Sequence, residues 1–465
     1  MNKFGKLVIA AATVFVGLQL IRPGIPAKPA TSELQTTPEV ARILEAHCYS
    51  CHSDQRRLSW FDQIVPGYWL VRHDILTARS HLNFSTLGSK PGAVQRATLF
   101  EAVNMIQLGA MPLPSFVKLH PDAKMSPGEI ATLKAYLAPW TPVPHPIANH
   151  RAGSVAQTDA APAAVAEEAL PPISLASVRP ELNGFQFDPN FEDWKPVSTT
   201  DRGDNNTFRF VLGNDVAVKA VHAGHISPWP DGARLAKIAW QQELGADGLL
   251  HPGKFVQVEL MLKDASLYRD SEGWGWGRWR GMDLKPYGND AAFVGECTSC
   301  HRPLRGNDYV YTVPISAARA GGVEVVNNRA AMLPTNLPYQ PLTWRAITMY
   351  VDPEAHTMAT LYGNDAALQV VNRRGGLTSG AKAPGYPPGS VLALVIWHQR
   401  EDPHWFGARI PDLPQSVEFV QVEAGGEHNR YRRFAGLPLH EDRDEGETAA
   451  ARTLFMLGLP PAELP

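Results

Sequence analysis

The sequence predicts a multidomain α plus α+β chain, with an all-α N-terminal domain followed by two antiparallel-sheet domains. Three observations lead there. Between residues 33 and 141 apolar residues recur at helical spacing behind capping residues. Beyond about residue 179 short runs of period two take over. Blocks from that second region then recur, in the same order, in a third.

In the first domain Thr37-Pro38-Glu39 supplies an N-cap and a first-turn proline ahead of Val40, Ile43 and Leu44. Ser126-Pro127-Gly128-Glu129 repeats the pattern with a capping box, followed by Ile130, Leu133 and Leu137 on one face. Residues 142–178 are dominated by Pro, Ala, Ser, Val and Glu, which cannot build a core and read as a flexible linker. In residues 179–323 the clearest strand is Lys254 to Leu262, with Val256, Val258, Leu260 and Leu262 on one face and Gln257 and Glu259 on the other. With 38 Gly and 40 Pro, many loops are expected.

The third region, residues 324–457, reads as a duplicate of the second. Gly213-Asn214-Asp215-Val216-Ala217 recurs as Gly363-Asn364-Asp365-Ala366-Ala367, and Pro230-Asp231-Gly232 through Gln242 recurs as Pro387-Pro388-Gly389 through Gln399. Phe255 to Glu259 is echoed in Phe419 to Glu423, though the spacing around this last pair differs. Aligning Gly232 with Gly389 sets Trp240 opposite Trp397 and Lys237 opposite Leu394.

The N-terminus, residues 1–24, carries two lysines and then the apolar run Leu7 to Ile21, the pattern of an export signal. The run is shorter than the roughly 20 residues a membrane span needs. Only Ala27 to Ala30 offers a weak cleavage site, so the expectation is either a cleaved signal peptide or an N-terminal membrane anchor, in both cases with a periplasmic protein.

The chemistry is concentrated in the cysteines. All four lie in two copies of one pentapeptide, Cys48-Tyr49-Ser50-Cys51-His52 and Cys297-Thr298-Ser299-Cys300-His301. Two thiols at this spacing can add to the two vinyl groups on one edge of a haem, and the next histidine can reach its iron. A zinc site would want its two halves roughly 15 to 20 residues apart. A redox dithiol needs no adjacent histidine. The expectation is therefore two covalently attached c-type haems. A net charge of −3 with 19% charged residues gives no reason to expect a nucleic-acid partner.

The haem at His52 needs a second axial ligand. Met111 is the best offer, because a methionine before a proline is held extended and a thioether is a frequent sixth ligand. Met105 and Met125 read as core residues, and His73, His81 and His120 are the imidazole alternatives. A His52/Met111 pair saturates the iron, which implies electron transfer with a soluble or membrane redox partner.

The string His47 to Ser53, with Val65-Pro66, Trp69, His73, Leu82-Asn83-Phe84-Ser85 and Gly109-Ala110-Met111-Pro112, resembles a bacterial haem-binding domain of exported proteins over residues 37–137. There the helix before Asn83 usually carries Gly-Arg, where this chain has Ala78-Arg79. The blocks Phe191 to Trp194, Gly213-Asn214-Asp215, Pro230-Asp231-Gly232, Ala236-Lys237, Lys263-Asp264, Gly273-Trp274-Gly275, Cys297 to His301 and Asp308 to Thr312 resemble cytochrome P-460 and the beta form of cytochrome c-prime.

That resemblance covers residues 180–323 and implies an antiparallel-sheet fold for the second and third domains. It also implies an open iron at His301 and, for P-460, a cross-link from Lys237 to the haem. Alone, Lys237 in its apolar run would read as a snorkelling side chain. The duplicate that lacks the cysteines also lacks the lysine, which ties Lys237 to the haem and leaves Trp240 and Trp397 as core. Oxidation of hydroxylamine needs an acid/base group near the iron, and Glu259 and Asp290 are the candidates. If Phe293 caps the pocket instead, the site binds gas.

The implied protein is an exported dihaem cytochrome acting on a small nitrogen oxide, hydroxylamine or nitric oxide, with electrons leaving through the first haem. The alternatives are a nitric oxide binding protein without turnover and a dihaem peroxidase. The third domain is expected to serve as a packing partner or a homodimer surface.

Overall fold

The computed structural model describes residues 3–55, 57–138, 174–374, 385–424, 429–442 and 447–465. The chain divides into two compact units, Met1–Thr141 and Pro142–Pro465. Most of the expected linker lies outside the described residues.

The first unit is helical: α1 (Lys3–Leu18), α2 (Pro38–His47), α3 (Tyr49–His52), α4 (Gly67–His81), α5 (Phe84–Leu87), α6 (Gly92–Gln107), α7 (Pro114–Val117) and α8 (Pro127–Leu137). Thr37 caps α2 by accepting the Val40 N–H. At α8 the capping box is complete, with Glu129 N–H donating to Ser126 Oγ and Ser126 N–H donating to Glu129 Oε2 at 2.8 Å. These bonds, with His47 Nε2 at 3.0 Å, hold the Glu129 carboxyl down at about 2 and tie α2 to α8. Val40 and Leu44 from α2 and Leu133 and Leu137 from α8 are all buried.

Along α1 the apolar side chains Phe4, Leu7, Ile9, Val14 and Val16 are exposed. Among the described residues no helix is long and apolar enough to cross a membrane. The chain that follows α1 is part of the domain. The Gln19 side chain exchanges two 3.0 Å hydrogen bonds with the backbone of Val65, and Trp69 Nε1–H donates to Ile21 O at 2.8 Å. Ile25 is buried with Val65, Tyr68 and Ile75.

The second unit is built on strands β1 (Lys195–Arg202), β2 (Thr207–Gly213), β3 (Arg234–Leu244), β4 (Leu250–Lys263), β5 (Trp274–Arg280), β6 (Lys285–Pro286), β7 (Arg319–Ala320) and β8 (Val323–Glu324). The duplicate supplies β9 (Arg345–Asp352), β10 (Thr357–Gly363), β11 (Val391–Asp402), β12 (Trp405–Gln421), β13 (Arg430–Ala435) and β14 (His440–Asp442). Helices α9 (Asp215–Ala223) and α10 (Val294–His301) belong to the first copy, and α11 (Asp365–Arg374) and α12 (Glu447–Gly458) to the second.

The two copies are not separate sheets. Strands β1-β2-β3-β4-β9-β10-β11-β12 follow one another, and β12 returns to β1, so each copy is half of one closed eight-stranded antiparallel barrel. At one seam Leu250 faces Val351, and at the other Asp201 faces Arg409. The repeated block ends in Gln242 in one copy and Gln399 in the other, and both amides donate to the single buried carboxylate of Asp201, at 2.6 and 2.9 Å. Inside the barrel one continuous core takes Phe208, Phe210 and Trp240 from the first half and Met349, Trp397 and Val417 from the second.

The recurring Gly-Asn-Asp has a structural explanation. Asn214 Oδ1 accepts the N–H of Ala217, capping α9, and of Arg234, while its amide donates to Gly232 O. Asn364 repeats all three bonds with Ala367, Val391 and Gly389. The preceding glycine is needed for close approach: a Cβ on Gly363 would stand 2.7 Å from Ile347 Cδ1.

The pairing of Phe255–Glu259 with Phe419–Glu423 is corrected by the strand register. Lys237 faces Glu259 across β3 and β4, and its counterpart Leu394 faces Glu418 across β11 and β12. The Gly232 N–H donates to Lys263 O and the Gly389 N–H to Val422 O. Glu259 therefore matches Glu418, and Lys263 matches Val422. The apparent match of letters was five residues out of step, because register is set by cross-strand bonding.

Candidate haem sites

In the first unit the motif starts at Cys48, the N-cap of α3, and takes up the whole of that helix. The Cys48 thiol lies beside an apolar lining that includes Val40, Leu44, Leu99, Val103 and Leu137. Burial pushes it up to about 12, so it rests as a thiol. His52 Nδ1–H donates to Leu82 O at 3.0 Å, which fixes the ring and puts its lone pair on Nε2. The block Leu82 to Ser85 is what holds this geometry. Asn83 caps α5 and donates to Asp54 Oδ1, and Ser85 Oγ accepts the Asp54 N–H.

Met111 is partly buried in the turn after α6, where its N–H donates to Met105 O at 3.1 Å. Met125 is buried, and His73 and His81 are exposed. His120 is engaged elsewhere: it stacks between Phe61 and Phe116, and its Nε2 lies 2.9 Å from Asp62 Oδ1.

The second motif spans α10, on the outer face of the first half-barrel. Strand alternation puts Ala236, Ile238 and Trp240 inside the barrel and Lys237 outside. Outside, Leu235, Trp274, Trp276 and Val310 form an apolar cluster against which Cys297 packs. His301 Nδ1–H donates to Tyr309 O at 2.6 Å, the same arrangement as at His52. Burial pulls the His301 ring down to about 4, so it is neutral with its lone pair on Nε2. Trp276 and Tyr311 meet the ring edge to face at 4.6 and 5.0 Å.

Beside this ring lies a charged rung across three strands. Lys237 Nζ is 2.5 Å from Glu259 Oε2, and Arg278 Nε is 3.3 Å from Glu259 Oε1, with the three residues paired in register. Burial alone would raise the Glu259 carboxyl, but Lys237 and Arg278 outweigh it and hold the group at about 2. Burial lowers the Lys237 amine to about 8 despite Glu259. Asp290 is not part of this cluster. It is exposed, and its carboxylate accepts the Ala292 N–H at 2.8 Å as a turn cap.

Residues 13–139 match the family model described as a haem-binding domain, and residues 189–312 match cytochrome P460. Each match covers about a quarter of the chain. No curated protein matches it.

The P460 domain fits a haem on its own side chains. Cys297, Cys300 and His301 share one helix, and the histidine is already oriented. Trp276 Nε1 and Arg209 Nε are buried donors with no hydrogen-bond partner among the described residues, as expected where a group bearing acceptors is to sit. The half without the cysteine motif shows what differs. Leu394 replaces Lys237, yet Glu418 and Arg433 keep the places of Glu259 and Arg278. The missing cation comes from α12, whose Arg452 donates twice to Glu418 at 2.8 and 2.9 Å.

Lys237 thus differs between the halves as the cysteines do, whereas the carboxylate belongs to the scaffold. Tyr311 is a site residue that sequence reasoning missed. Its hydroxyl donates to Cys300 O at 2.8 Å, and its ring meets Trp405 of the other half at 5.5 Å.

Proposed function

We propose that the protein is an exported dihaem c-type cytochrome, with the P460 domain acting on hydroxylamine or nitric oxide and the first domain passing on electrons. The observation that carries this reading is the contrast between the two oriented histidines. His301 stands beside a partly buried cluster of three charges, Lys237, Glu259 and Arg278, and among the described residues His52 has no such cluster. Cys48, Cys51 and His52 would hold one haem, with Met111 as its second ligand; Cys297, Cys300 and His301 would hold the other. Bound there, the second haem would supply an open coordination position and accept electrons from a small nitrogen oxide.

The protein's own groups set the conditions. Trp276 and Tyr311 wall the histidine from water, and Glu259 keeps a fixed negative charge against Lys237 and Arg278. An amine lowered to about 8 is more nucleophilic near neutral pH than an ordinary lysine, which supports the family's cross-link at Lys237. The weave of residues 19 to 25 into the first domain supports retention of the N-terminal segment after export.

The second reading, nitric oxide binding without turnover, is favoured by Glu259 itself. A carboxyl at about 2, locked in an ion pair, is a weak general base. Steady-state assay with hydroxylamine and an artificial electron acceptor separates the two. Turnover that His301→Ala abolishes is the expected result, and tight nitric oxide binding with no turnover would leave the second reading standing.

A further inference from the structure

We propose that the buried pair Lys263–Asp308 is a positioning device that sets the hydrogen bond to His301. The backbone passes through two successive non-glycine residues with positive φ, Asp308 at 46° and Tyr309 at 67°. Such a conformation persists only where its surroundings enforce it. Here they do. Lys263 Nζ donates to Asp308 Oδ1 at 2.8 Å, the Trp229 N–H donates to Oδ2 at 2.8 Å, and Trp274 Nε1–H donates to the Asp308 carbonyl at 2.9 Å. The product of this turn is the Tyr309 carbonyl, delivered to within 2.6 Å of His301 Nδ1.

The haem-free half gives an independent argument. Its residue at the place of Lys263 is Val422, so this lysine, like Lys237, is absent from the half without the haem motif. Glu259 is kept as Glu418. A buried lysine that serves only the barrel would be expected in both halves.

The proposal rests on His301 being the haem ligand, not on any substrate. A short bond from Nδ1–H to a carbonyl makes the imidazole a stronger donor, which strengthens its bond to iron and favours the ferric state. Slackening the turn has the opposite effect.

The test uses the full-length holoprotein carrying Asp308→Asn, Lys263→Val or Lys263→Arg. Haem content is measured first, then the iron–histidine stretch of the ferrous form and the reduction potential of each haem. Asp308→Asn and Lys263→Val are expected to lower the stretching frequency and raise the potential of the haem at His301, leaving the His52 haem unchanged. Lys263→Arg restores both values. Should Asp308→Asn fail to fold, Lys263→Val reads the same shift with the side chain the other half carries. Parental stretch and potential in Lys263→Val would overturn the proposal. A parent with no haem on Cys297 and Cys300 would instead overturn the assignment of His301.

Discussion

A chain ended after residue 323 is expected not to form its P460 domain, although it keeps both haem motifs and the whole of that family match. The reason lies in the barrel. Strand β1 loses its pairing with β12 at Asp201 and Arg202, and β4 loses its pairing with β9 at Leu250, so both seams of the barrel open. The interior opens as well. Trp397 is fully buried in the shared core, and truncating one such side chain costs about 3–5 kcal/mol. Domains hold only about 5–15 kcal/mol in total, so losing half the core exceeds what remains. The C-terminal tail adds to this, since Trp240 Nε1–H donates to Glu463 O. Expression of residues 1–323 should give insoluble protein, and supplying residues 324–465 as a separate chain should restore solubility and haem at Cys297 and Cys300. A soluble, haem-loaded truncated chain would refute the shared barrel.

Lys237→Leu, which copies the other half, is expected to separate two roles of the lysine. A haem peptide from the variant should lack any link through position 237, while thioether attachment at Cys297 and Cys300 persists. Stability should fall by up to about 3 kcal/mol, the low end for a buried pair, since Lys237 and Glu259 are only partly buried and Arg278 still offsets part of the Glu259 charge. Adding Glu259→Gln should recover most of the loss.

The effect has a pH signature. The folded carboxyl sits at about 2 against an ordinary 4.5, so its contribution is complete above about 4.5 and is lost as pH falls toward 2. Denaturant unfolding of parent and variant should therefore differ between about pH 4.5 and 7 and converge as pH falls toward 2. A pH-independent gap would assign the loss to packing instead of charge.

Local features were legible in the sequence because their causes are local. Thr37 and Ser126 announce their helices, and Asn214 and Asn364 mark the same cap twice. Barrel closure was hidden because the pairing of β1 with β12 joins residues about two hundred apart, and nothing in either strand names its partner. The Phe255 and Phe419 match misled for the same reason. Asp290 looked like a base, but an aspartate two residues before a free N–H is a natural turn cap. Lys263 and Asp308 stood in separate motifs, and only the fold brings side chains 45 positions apart into one buried pair.

On the proposed function two motifs of the same pattern hold unequal haems, closed at His52 and open at His301. Titration of the fully reduced holoprotein with nitric oxide tests it most directly, against a count of covalent haem per chain. The expected result is two haems, of which only one shifts its spectrum at low nitric oxide, and the responding one disappears in Cys297→Ser/Cys300→Ser. Two responding haems, or none, would contradict the account.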